Sequence, residues 1–99
     1  MPRSLLTFSV EQEHIDQAFD LAKTVSYDPP SQCPIALALK TPEREVAVGQ
    51  GVIAFHYPDR IQHSWMSLEV SMFMRDFDRA LHFAPYPAPS PCQLTIFLD

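Results

Sequence analysis

The sequence predicts one α+β domain, residues 1–99, with elements in the order β-α-α-β-β-β-α-β. The expected architecture is an antiparallel or mixed sheet with its helices packed on one face. Three observations carry this. Apolar residues alternate with polar ones near both ends of the chain, as in strands with one buried face. They recur at helical spacing over Ile15–Ala22 and Val70–Leu81. Between those stripes, three short apolar runs are joined by turn-forming residues, which reads as a meander.

Leu6, Phe8 and Val10 alternate with Thr7 and Ser9 and define the first strand. Glu11, Gln12 and Glu13 suit a first helical turn, where carboxylates oppose the positive end of the dipole, and Ser9 with Gln12 has capping-box spacing. Ile15, Ala18, Phe19 and Ala22 then form one stripe on a helix of about three turns. Asp28-Pro29-Pro30 is expected to be a turn or extended segment, since each proline restricts its predecessor. A short helix begins at Pro34, whose missing N–H has no partner in a first turn. Ile35 to Leu39 are apolar nearly all round, so this helix is expected to be buried until Thr41-Pro42 ends it.

Val46 and Val48, the Gly49-Gln50-Gly51 turn, and Val52 to Phe55 read as a hairpin. After the Tyr57-Pro58-Asp59-Arg60 turn, Ile61 to Met66 adds a third strand, with Trp65 its largest side chain. Ser67 caps a helix on which Val70, Phe73, Met74, Phe77 and Leu81 form the apolar stripe. Pro85, Pro87, Pro89 and Pro91 make an extended connector without a P-x-x-P core. Gln93 to Leu98 closes the chain as a strand, with Leu94, Ile96 and Leu98 on one face and Phe97 on the other.

The formal charge is -5, and the few Lys and Arg residues are scattered, so direct binding of nucleic acid is not expected. The same charge suits a basic partner such as a nucleic-acid-binding protein. No apolar stretch approaches the length of a membrane span, and the first ten residues lack signal-peptide character. Cys33 and Cys92 make no disulfide framework, so a cytoplasmic setting with reduced thiols is expected.

Candidate chemistry is sparse. Metal-ligand spacings are absent, and His56 with His63, flanking a turn, forms only an unspecific pair. No metal and no cofactor are expected. Cys33 precedes a helix start, where the dipole lowers a thiol pKa, and His14 is the candidate base. No spacing brings them together, and a free cysteine packs well as a small apolar residue. Glu11 with Glu13 and Asp76 with Asp78 lack the apolar setting of a catalytic acid. Gly49 and Gly51 lie between strands and form no phosphate loop. Tyr57, Trp65, Phe83 and Tyr86 fall near turns and element ends and are the interface candidates, although core packing is the favoured role for Trp65.

Three segments carry a resemblance: Val10-Glu11-Gln12-Glu13-His14-Ile15, Cys33-Pro34-Ile35-Ala36-Leu37-Ala38-Leu39, and Phe73-Met74-Arg75-Asp76-Phe77-Asp78 before a final apolar strand. In that order the chain resembles a family of small, functionally uncharacterised proteins of bacteriophages, prophages and bacteria. The C-P-I-A-L-A-L piece is the most specific. The chain departs from the pattern in a longer 18–32 spacer and in the 85–91 connector, and no site residue is carried over. The resemblance implies a context in which small acidic proteins bind and block host proteins, CRISPR effectors and other defence machinery among them.

The expected function is therefore non-enzymatic: stoichiometric binding to a host or phage protein, with a homodimer compatible. The alternatives are a small-ligand or nucleotide-binding homo-oligomer, which an apolar cleft with a few convergent polar groups would favour, and a cysteine-dependent enzyme.

Overall fold

Five strands pair in one antiparallel sheet in which the last strand lies between the first and the fourth and the second forms the far edge. The structure, a computed structural model, describes residues 4–83 and 85–98. The strands are β1 Ser4–Val10, β2 Glu45–Val48, β3 Val52–His56, β4 Ile61–Trp65 and β5 Cys92–Leu98. The helices are α1 Gln12–Ala22, α2 Pro29–Gln32, α3 Pro34–Leu39 and α4 Leu68–His82. The last strand pairs with β1 along its whole length, from Ser4 opposite Leu98 to Val10 opposite Cys92.

The seam between β4 and β5 is short, limited to Ser64 opposite Leu98 and Trp65 opposite Phe97. Side chains extend it. The Ser64 hydroxyl, fully buried, donates to the Phe97 carbonyl. Past the end of β4, the Thr95 N–H donates to the Glu69 carboxylate at 2.7 Å, so α4 supplies the acceptor that β4 no longer provides. This couples the meander to the β1–β5 pair and lets the sheet curl.

One face of the sheet carries Val10, Val46, Val48, Ile53, Phe55, Leu94 and Ile96, and the helices cover it with Ile15, Ile35, Ala36, Leu39, Val70 and Phe73. Phe77 is also fully buried, its ring tilted against Phe19 at 4.8 Å. The α3 helix is less enclosed than its composition suggests. Pro34, Ile35, Ala36 and Leu39 are buried, but Leu37 and Ala38 are half-buried, because the helix lies between the sheet and α1 with one flank open.

Two local expectations are corrected. The Asp28-Pro29-Pro30 stretch does not stay extended. Asp28 is extended, as a residue before proline must be, but the prolines then fill the first positions of α2, where no N–H is needed. The N–H groups of Ser31 and Gln32 donate to the Asp28 carbonyl at 3.1 and 3.0 Å. The capping box of α1 is built by Glu11 and His14, not by Ser9 and Gln12. Ser9 belongs to β1, and the Glu11 N–H donates to His14 Nδ1 at 2.9 Å. In the β2–β3 turn, Gly51 adopts φ +79°, the left-handed region that glycine enters without steric cost.

Candidate functional site

Two surfaces stand out, on opposite sides of the sheet. The first is its uncovered face. Register places Leu5 beside Phe97, Phe97 beside Trp65, and Trp65 beside Val52. These four residues form one apolar row across four adjacent strands. Leu5 is 64% exposed, Trp65 60% and Phe97 40%. Ile61, further along β4, is exposed on the same face. A solvated sheet face normally carries polar side chains. Here Thr, Ser, Gln, Ala and His fill the remaining strand positions, and Glu45 is the one formally charged side chain among those described on this face.

The second surface is a groove of about 690 Å³ on the helical side. One wall is α4, from Ser71 to His82; the other is Tyr27 with Pro29 and Pro30; the Gly49–Gly51 turn closes one end. Val48, Met66 and Met74 give it an apolar floor, with Cys33 sealed beneath. Polar tips line its rim: the Tyr27 hydroxyl, the Asp78 carboxylate, the Arg79 guanidinium and the His82 imidazole. Burial pushes the Asp78 carboxyl above the usual range, with neighbouring His82 pulling the other way. Burial likewise raises the Tyr27 phenol, helped by the negative potential of Cys33, Asp78 and Asp28.

The four interface candidates divide between these places. Trp65 lies in the apolar row of the open face and not in the core. Phe83, 67% exposed, lies at the groove. Tyr57 is half-buried and engaged within the domain: its hydroxyl accepts from Arg44 Nη1 at 3.1 Å, and the Arg60 guanidinium lies 4.1 Å from its ring. Tyr86 is half-buried too, its hydroxyl donating to Asp76 Oδ1 at 3.1 Å.

Cys33 is not an activated thiol. It is 1% exposed, and its Sγ accepts the Ala36 N–H at 3.5 Å as the cap of α3. Burial pushes its pKa up to about 11, outweighing the backbone N–H groups that pull it down. The dipole effect expected from its position is thus overridden by desolvation. His14 is committed to the α1 cap. His56 and His63 are diagonal neighbours on the open sheet face, both exposed. Among the described residues no group of three or more His, Cys, Asp or Glu is placed to hold a metal.

The raised pKa keeps the Cys33 thiol protonated near neutral pH, and only the thiolate attacks. Native protein treated with an aromatic disulfide reagent should therefore label at Cys92, which is half-buried, and leave Cys33 intact until denaturant is added. Mass spectrometry of the labelled peptides distinguishes the two. Fast stoichiometric labelling of Cys33 in the native state would reinstate the nucleophile.

No protein-family model matches this chain, and no curated protein or solved structure matches it.

Proposed function

We propose that the chain is a non-enzymatic binding protein that holds another protein on the open face of its sheet. The observation that carries this reading is the Leu5–Phe97–Trp65 row, apolar, exposed and nearly free of charge in a chain of net charge -5. Aromatic anchors in a weakly charged patch are the usual centre of a protein interface. The partner's contact surface is correspondingly flat and apolar, and the rest of that partner is basic. Apart from Glu45, the acidic residues described lie off this face, on α1 at Glu13, Asp16 and Asp20 among other positions. Such charge speeds the approach of a basic protein without contributing to the contact itself. The resemblance to phage and prophage proteins extends the proposal to a host partner, a defence effector being one class. Two free cysteines, and the absence among the described residues of a helix long and apolar enough to cross a membrane, support cytoplasmic action.

Trp65→Glu tests this. Most of the side chain is exposed, so the variant should still fold, losing no more than about 1 kcal/mol of cross-strand packing. Its affinity for a captured partner should fall by about thirtyfold or more, as for an aromatic hot spot. Salt should slow association and leave the dissociation rate almost unchanged. Capture that is indifferent to Trp65→Glu refutes the face as the contact. Sedimentation of the chain alone completes the test: a dimer dissolved by Trp65→Glu would assign the face to a second copy instead.

A further inference from the structure

We propose that the groove along α4 binds a small organic monoanion, a carboxylate on an extended apolar body. This site lies on the opposite side of the sheet from the protein contact and does not depend on it. The groove of about 690 Å³ is within the size range of small-molecule sites. Its length along α4, from Ser71 to His82, is about 16 Å at 1.5 Å per residue, so it suits a chain-like ligand. Val48, Met66 and Met74 offer apolar contact along the floor, and methionine adapts to irregular partners.

Charge selects the head group. Arg75 and Arg79 stand one helical turn apart on the groove wall, two of the seven Lys and Arg residues of the chain. The other cations described are engaged elsewhere: Lys23 with Asp20, Lys40 with Glu45, Arg60 with Asp59, and Arg44 within the domain. Arg75 makes only a long contact of 3.8 Å with its neighbour Asp76. The Arg79 side chain makes no ion pair or hydrogen bond among the described residues; its guanidinium lies 5.9 Å from the Tyr86 ring. A planar fork of free N–H donors above an apolar floor fits a carboxylate. Asp78 on the same wall repels multiply charged heads, so polyphosphates and phosphate dianions are disfavoured.

The test uses decanoate, decyl phosphate and decyltrimethylammonium, each below its micelle concentration, with amide chemical-shift mapping of the full chain. Decanoate should saturate at one per chain and shift the amides of Tyr27, Gly49 to Gly51 and α4. The cationic amphiphile should bind at least about tenfold more weakly, and Arg79→Ala should weaken decanoate about tenfold, the effect of losing one charge-assisted hydrogen bond. Trp65→Glu should leave decanoate binding unchanged. Equal affinity for the cation and the anion, shifts confined to the open sheet face, indifference to Arg79→Ala, or no binding at all would each overturn the proposal. Tighter binding of decyl phosphate than of decanoate would overturn the carboxylate assignment.

Discussion

Phe77→Ala should lower the free energy of unfolding by about 3–5 kcal/mol, the range for removing a large aromatic from a close-packed interior. Phe77 has no solvent exposure and sits on the buried stripe of α4 with Val70 and Phe73. Its ring meets Phe19 of α1 at 4.8 Å and 47°, a tilted aromatic contact that adds to simple burial. The substitution leaves a cavity where α4 meets α1, and the surrounding side chains can collapse into it only in part. A domain of this size has roughly 5–15 kcal/mol of stability in all, and the loss is a large part of it. Urea titration followed by circular dichroism measures the effect, with an unchanged m-value expected if only the native state is affected. A loss under about 1 kcal/mol would mean that α4 does not pack through this residue.

What the sequence reveals and what it hides divide along physical lines. The strands and the two long helices are legible because burial of one face imposes a period on the residues themselves, as Leu94, Ile96 and Leu98 show against Phe97. The α2 helix is not, because Pro29-Pro30 serves equally as an extended stretch or as the start of a helix, and the helix rests on the bonds that Asp28 makes with Ser31 and Gln32. The order β1-β5-β4 is hidden as well: insertion of the last strand between the first and fourth depends on contacts some ninety residues apart, Ser4 with Leu98 among them. The groove fails to appear for the same reason. Its walls come from residues near 27–33, 48–51 and 71–83, and no local pattern links them. Trp65 and Phe97 can each be placed on a strand from alternation, yet their meeting in one row needs the register.

Arg44→Ala should destabilise the domain by roughly 2–3 kcal/mol, which is large for a residue outside the apolar core. Arg44 closes the Thr41–Arg44 turn between α3 and β2. Its Nε and Nη2 donate to the Leu39 carbonyl at 3.1 and 3.0 Å, and its Nη1 donates to the Tyr57 hydroxyl at 3.1 Å. The Leu39 carbonyl ends α3 and has no helical N–H to accept; a cation there meets both its lone pairs and the negative end of the helix dipole. The guanidinium carbon also lies 4.6 Å from the centre of the buried Phe55 ring, an additional cation–π attraction. One planar group thus joins a helix end, the β2–β3 core and the β3–β4 turn. Arg44→Lys restores the charge but not the fork, and should recover less than half of the loss. Tyr57→Phe should cost about 1 kcal/mol or less alone, and almost nothing once Arg44 is alanine, because the hydroxyl has then lost this partner. A double-mutant cycle in urea reads that coupling. If Arg44→Ala shifts stability by less than about 0.5 kcal/mol, the guanidinium is no more than a surface group, and the position of α3 rests on its buried apolar residues alone.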